Sequence, residues 1–490
     1  MRSYILAIDQ GTTGTRAILY GRAGSPLAQA YREIHQHFPK PGWVEHDPDE
    51  LWGSTLRVIQ ECLERARIRP SAIAAIGITN QRETTILWDR KTGGAVHRAI
   101  VWQDRRTSEL CATLKPHEPE VRRITGLVLD PYFSGTKICW LLCHDSSLAR
   151  AAKLGRLAFG TVDSWLLWKL TGGKAHATDV TNASRTLLFD LKKGEWSRPM
   201  LKMLGIPENL LPVVHPSSYR FGVTRVVPPL PAGIPVTGIA GDQQAALFGQ
   251  GCTEPGQAKN TYGTGCFLLM QTGQRLVRST HGLITTLACD SQGQPSFALE
   301  GSVFIAGAAI QWLRDGLGLI RQAQESQRLA TSVSDTAGVT FVPAFVGLGA
   351  PYWRPQVRGL ICGLTRGVTK AHLVRAALEA IAYQSQEVLT AMEQDSRIHL
   401  KALRVDGGAA ENSFLLQFQA NLSGVPVLRP RTIETTALGA AQLAGLRVGF
   451  WSSKDLSRMR KLDRTFRPTW SRGRREAAMA GWKAAIQRAL

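Results

Sequence analysis

Two stretches far apart in the chain repeat one design, and the repeat narrows the folds open to it. ILAIDQGTTGTRAILY (5–20) is an apolar run that stops at Asp9, then a glycine–threonine tip, then a second apolar run. KNTYGTGCFLLM (259–270) again has a strand end, a tip of Gly263-Thr264-Gly265, and an apolar run. Between them PVTGIAGD (235–242) is a further apolar strand ending at an acid, Asp242. Short apolar runs bounded by glycine and polar residues read as buried strands. Strands alternating with helical stretches give an α/β chain. The two halves look like variations on one plan, so the expectation is two α/β domains, 1–250 and 251–490. A duplicated unit would put its cleft between the halves.

A chain of 490 residues has room for two or three domains. Its 44% hydrophobic and 20% charged residues are those of a soluble globular protein. No window reaches the roughly 18 apolar residues of a membrane span. The four apolar residues before Asp9 are too short for a signal peptide's apolar region. The eight cysteines are scattered and form no Cys-x-x-Cys pair, which predicts buried, reduced thiols and a cytoplasmic protein. The formal charge of +21 would suit nucleic acid, an acidic membrane surface or an anionic substrate. The basic residues are spread along the chain, concentrated only at 454–461 and 472–475, and no nucleic-acid module accompanies them. Neither a nucleic-acid partner nor membrane insertion is expected.

Local signals place a few elements. Ala74–Thr79 and Thr84–Trp88 read as strands. Asp47 can cap a helix that starts at Pro48 and runs through Leu63, with Glu50 where a capping box needs it. Residues 212–235, with Pro228-Pro229-Leu230-Pro231, read as an extended surface loop.

The chain has no Gly-x-x-x-x-Gly-Lys-Ser/Thr loop, no Gly-x-Ser-x-Gly elbow and no His-Glu-x-x-His helix. What remains are glycine–threonine tips at strand ends. Backbone amides and threonine hydroxyls there can converge on an anion, and Arg16 stands near the first tip to add charge. Each tip alone is equally well a β-turn; two of them favour the cradle. VDGGAAEN (405–412) turns from a strand through two glycines into a helix near Asn412-Ser413. That geometry can take a phosphate or let an adenine lie flat, or it is a plain strand-to-helix turn. TNQRETT (79–85) offers donors and acceptors to a polyhydroxy compound, or is a solvated turn.

These residues, with PKPGWVEHDP (39–48), AIVWQDRRT (99–107), DPYFSGTK (130–137), TNASRT (181–186), GIAGDQQAALFGQ (238–250) and PAFVGLGAPYW (343–353), resemble in order the glycerol-phosphorylating members of the FGGY carbohydrate kinase family. The resemblance runs from about Tyr4 to about Trp451, and Gly359 to Glu379 is similar to the family's C-terminal signature. It implies the α/β actin-like ATPase (ribonuclease H-like) fold, with glycerol and phosphate on the N-terminal domain. Nucleotide would bind the C-terminal domain, which carries a basic helical tail. It implies transfer of the γ-phosphoryl of ATP to a terminal hydroxyl of glycerol, with Mg2+, in a homodimer or homotetramer.

Carried over residue by residue, the resemblance makes Asp242 the general base. Arg82, Glu83, Tyr132, Asp242 and Gln243 surround the glycerol hydroxyls, and Trp102 and Phe267 flank its carbons. Thr12, Thr13, Gly14, Arg16 and Thr264 hold phosphates. Gly307, Gln311, Gly408 and Asn412 line the adenine and ribose, and Asp9 orients Mg2+ through its waters. The alternatives are a kinase for another small polyol or sugar, or a non-catalytic nucleotide sensor on the same fold. A sensor would have lost Asp242, Arg82 or Glu83, and all three are present.

The chain departs from the family at four places, one of them Cys143, where the family's N-terminal signature usually has a polar residue. Gly14 stands where relatives often carry a hydroxyl, which puts one phosphate contact in doubt. Residues 228–233 hold no arginine or lysine where some relatives bind fructose 1,6-bisphosphate, so regulation by that anion is not expected. Arg474 stands where some relatives place a glutamate that shares zinc with a regulatory partner.

Overall fold

The computed structural model describes residues 3–354, 356–432 and 434–490. It divides into two compact units. Unit 1 comprises the chain up to Thr253, with Thr285–Phe297 and Thr435–Arg460; unit 2 comprises Glu254–Ile284, Ala298–Glu434 and Lys461–Leu490. Two stretches beyond residue 250 thus count with unit 1.

The sheet of unit 1 is built from β1 (Tyr4–Gln10), β2 (Gly14–Tyr20), β3 (Pro26–Glu33), β4 (Ile73–Asn80), β5 (Ser218–Val223) and β6 (Pro235–Gly241), in the order β5-β6-β4-β1-β2-β3. Strands β1, β4 and β6 are parallel neighbours. All eight residues of β4 and all seven of β6 are buried. That is the signature of a strand covered on both faces, and it explains their unbroken apolar runs. Leu6 and Ile8 face α1 (Pro48–Ala66), whereas Ile5 and Ala7 face a helix from near the other end of the chain, Thr435–Arg447.

In unit 2, β7 (Gln257–Tyr262) pairs antiparallel with β8 (Cys266–Gly273) and parallel with β10 (Ala402–Asp406). Strand β9 (Pro295–Val303) lies beyond β8, while β11 (Val427–Pro430) and β12 (Leu462–Phe466) follow β10. Of the seven strands in this sheet, the six in the order β12-β11-β10-β7-β8-β9 repeat the order of unit 1. The repeated hairpin read from the sequence is therefore β1-β2 and β7-β8. The strand ending at Asp242 is no counterpart of β1; it lies in the same sheet, with β4 between them.

Two local expectations change. Asp47 caps α1 by accepting from the amides of Asp49 and Glu50, but Glu50 does not close the capping box: its carboxylate accepts from the His35 amide at 3.0 Å. The proline-rich stretch is not loop throughout, because Ser218–Val223 pairs with β6 and buries Phe221. Seven of the eight cysteines are buried or half-buried, Cys143 is exposed, and all are free thiols. No helix among the described residues is long and apolar enough to cross a membrane.

Candidate active site

Three parallel strands of unit 1 end side by side: β1 near Asp9, β4 at Thr79-Asn80 and β6 just before Asp242. The carboxyl ends of parallel strands are where open α/β sheets bind ligands. Asp242 opens helix α3 (Asp242–Gly249), and its side chain is one-third exposed. Its Oδ1 forms an ion pair with Arg82 Nε at 3.2 Å and accepts from the Gln243 amide at 2.7 Å. The Gln243 side-chain amide approaches Oδ2 at 3.4 Å, leaving this oxygen the one with room for another partner. Arg82 reaches across because the preceding residue is glycine: a Cβ on Gly241 would stand 2.7 Å from the Arg82 stem. The other end of the guanidinium donates to Gln244 Oε1 at 3.1 Å and approaches the Tyr132 hydroxyl at 3.5 Å.

Glu83 follows with φ of 62°, in the left-handed region that non-glycine residues enter at a cost. Neighbours hold it there. Its carbonyl accepts from Ser134 Oγ at 2.9 Å, and its carboxylate accepts from Arg185 Nε at 2.6 Å. The turn that carries Tyr132 is held by Lys137, a buried residue of helix α2 (Ser134–His144). Its ammonium donates to the carbonyls of Pro131 and Tyr132, each at 2.6 Å, and burial pushes its pKa down to about 8. Trp102 meets Tyr132 edge to face at 5.4 Å, and its indole donates to Thr12 Oγ1 at 2.8 Å. The acceptor residues of unit 1 named from the sequence are therefore joined to the β1-β2 tip.

At that tip the Gly11 amide donates to the Gly14 carbonyl at 2.9 Å. Thr12 is half-buried and Thr13 is exposed. Asp9 and Arg16 are cross-strand partners. Next to the tip, Gln81 donates to Gln10 Oε1 and to the Gly11 carbonyl, each at 3.1 Å, and is hydrogen-bonded to His46 Nδ1 at 3.3 Å. Among the described residues no three metal-ligating side chains converge. One strand-end carboxylate, such as that of Asp9, fits Mg2+, which keeps most of its waters and takes other oxygens from phosphates.

Unit 2 forms a second cluster. Thr264 is exposed at the tip of β7-β8. The tip is stitched to the start of helix α4 (Gly307–Asp315): the Ala306 and Ala308 amides donate to the Thr264 carbonyl at 2.8 and 3.1 Å. A Cβ on Gly307 would stand 2.6 Å from the Gly263 carbonyl, so this approach requires glycine. Gly408 is exposed in the turn after β10, and Gln311 is exposed on α4. Asn412 caps helix α5 (Ser413–Ser423), accepting from the Leu415 amide at 3.0 Å and donating to Ser326 at 3.2 Å. Phe267 is half-buried on β8 in this unit. A cavity of about 660 Å3 elsewhere in unit 2, bordered by Tyr352, Glu387, Arg475 and Lys483, includes none of the site residues that the resemblance implies.

Sequence reasoning gave no role to Arg185, Lys137 or Gln244. Each is a buried polar residue inside a quoted motif, and a buried charge needs a partner; that was the available signal.

The sequence matches the family model described as the FGGY family of carbohydrate kinases, N-terminal domain, over residues 4–249, and the C-terminal domain over 258–448. The chain belongs to the FGGY family of carbohydrate kinases. The FGGY N-terminal match ends with α3, and the C-terminal match takes in Thr435–Arg447, the helix that packs on the sheet of unit 1. The chain is 56% identical to a glycerol kinase of Carboxydothermus hydrogenoformans over 100% of this chain and 98% of that protein. It is 55% identical to one of Ralstonia nicotianae, over 99% and 97%. The crystal structure of Plasmodium falciparum glycerol kinase with ADP is similar with a TM-score of 0.94 at 37% identity, covering 99% of this chain and 98% of that one. A xylulose kinase from Rhodospirillum rubrum, at 22% identity and a TM-score of 0.86 over 99% and 98%, shares the fold.

Proposed function

We propose that this FGGY kinase phosphorylates glycerol with ATP, giving sn-glycerol 3-phosphate and ADP, as the entry step of glycerol catabolism. The observation that carries the reading is full-length identity of 53–56% to glycerol kinases. Phosphoryl transfer asks for positioning and charge stabilisation more than covalent help. Asp242 Oδ2 takes the proton of the terminal hydroxyl as its oxygen bonds to the γ-phosphorus. The bond from that phosphorus to the bridging oxygen breaks, and ADP leaves with the electron pair. Arg82 holds Asp242 in place and, with Glu83, Tyr132 and Gln243, engages the glycerol hydroxyls. Trp102 and Phe267 cover its carbons.

Thr12, Thr13, the Gly14 amide, Arg16 and Thr264 hold the phosphates; Gly307, Gln311, Gly408 and Asn412 line the adenosine. Asp9 would hold Mg2+ through the ion's waters, and the ion would supply charge neutralisation to the phosphate oxygens. Water competes with so small an acceptor, so in this reading the reacting state excludes it. Residues 228–233 offer no cation to a bisphosphate, and the same reading has fructose 1,6-bisphosphate without effect.

A coupled ADP-release assay with glycerol and a pentulose side by side tests the substrate. Glycerol is the preferred acceptor; preference for the pentulose overturns the reading. Asp242→Asn lowers kcat by about 100-fold or more while glycerol still binds. Near-normal turnover in that variant would remove Asp242 as the base.

A further inference from the structure

We propose that Tyr31, on the outer strand β3, supplies a phosphate-binding hydroxyl at the β1-β2 tip, in the place that Gly14 leaves open. The inference rests on reading that tip as the phosphate site.

The cross-strand register sets three residues in one row: Asp9 opposite Arg16, and Arg16 opposite Tyr31. Directly opposed residues in a sheet project to the same face, and so does Gly14, two residues from Arg16. Tyr31 does not stand upright over Arg16. A Cβ built on Gly14 would lie 2.5 Å from the Cε2, Cζ and hydroxyl oxygen of Tyr31. The phenol end therefore occupies the space of a side chain at position 14. Two contacts fix the arrangement. The Arg16 guanidinium lies 5.5 Å from the Tyr31 ring, within cation–π range, and the Ile34 amide donates to the Thr13 carbonyl at 3.1 Å, extending the β3 pairing to the tip.

Tyr31 is 45% exposed, and its hydroxyl has no hydrogen-bond partner among the described residues. Thr12 and Thr13 present two hydroxyls along the same turn. Tyr31 adds a third from the neighbouring strand. Its O–H donates to an anionic phosphate oxygen of the nucleotide beside Arg16, the charge-assisted class of hydrogen bond.

Tyr31→Phe keeps the ring against Gly14 and deletes only the oxygen. The KM for ATP then rises by about 10-fold or more, the range of one hydrogen bond to a charged group. ADP binding measured by calorimetry weakens in step, and kcat and the KM for glycerol stay within about twofold, as expected for a contact made equally in ground and transition states. Gly14→Ser in a Tyr31→Ala background regains the lost ATP affinity, because the serine hydroxyl enters the vacated space. If Tyr31→Phe matches the wild type while Arg16→Ala raises the KM for ATP, the inference fails and the phosphate reading of the tip stands. If neither variant changes it, the phosphate reading itself fails.

Discussion

Arg185 enters no chemistry that its neighbours in the chain suggest, yet it bonds Glu83 at 2.6 Å with both side chains buried. Its guanidinium also lies over the rings of Tyr132 and Phe133, at 5.4 and 5.1 Å. It therefore orients a residue proposed to bind glycerol and stiffens the turn beside it. Breaking a buried pair on one side costs more than removing the pair, because a desolvated charge is left behind. Arg185→Leu should lower stability by about 3 kcal/mol or more in urea unfolding and raise the KM for glycerol. The double variant with Glu83→Leu should recover much of the stability and none of the activity. An unchanged unfolding midpoint in Arg185→Leu would refute this account.

Among the elements, helix Thr435–Arg447, here α6, shows most plainly how packing overrides chain position. It lies on β4 and β6 of unit 1, and its Gly439 backs onto the carbonyl of Ala245 in α3. A Cβ at Gly439 would overlap that carbonyl, and one at Gly77 of β4 would overlap the carbonyl of Ala440. Backbone cannot yield as a side-chain tip does. Gly439→Val should cost about 3 kcal/mol or more, whereas Gly473→Val, where a Cβ meets open space, should leave stability nearly unchanged. Thermal unfolding of both compares them directly. The start of α1 was legible because capping is local: Asp47 sits two and three residues from the amides it accepts. Glu50 was misread because its carboxylate serves His35, 15 residues back.

Over the whole molecule, stability between pH 4 and 7 is a balance of opposed buried groups. His46 and His176 are each pushed down to about 4, first by burial. Below about pH 6.5 the unfolded chain takes up protons that these folded imidazoles refuse. Their contribution is present above 6.5 and is lost as pH falls through 4. Asp163 is pushed up to about 7 by burial and by neighbouring Asp179. Its contribution is present below about 4 and is lost as pH rises through 7. The slopes cancel in part, so single variants reveal them. Asp163→Asn should gain on the wild type as pH rises from 4 to 7, and His176→Gln should gain on it as pH falls from 6.5 to 4, each by on the order of 3 kcal/mol. Urea titrations in which variant and wild-type stabilities run parallel across that range would contradict this.

By itself the sequence determined the strand-ending acids, the glycine–threonine tips, the helix caps and the duplicated α/β plan. Each is written in residues within a turn or two of one another, where side-chain period and backbone preference act directly. Tertiary structure alone decided that Arg185 meets Glu83 across 102 positions, that Thr435–Arg447 covers the first sheet, and that Tyr31 fills the space beside Gly14. Those contacts come from sheet register and close packing, which bring together residues whose spacing along the chain carries no sign of it.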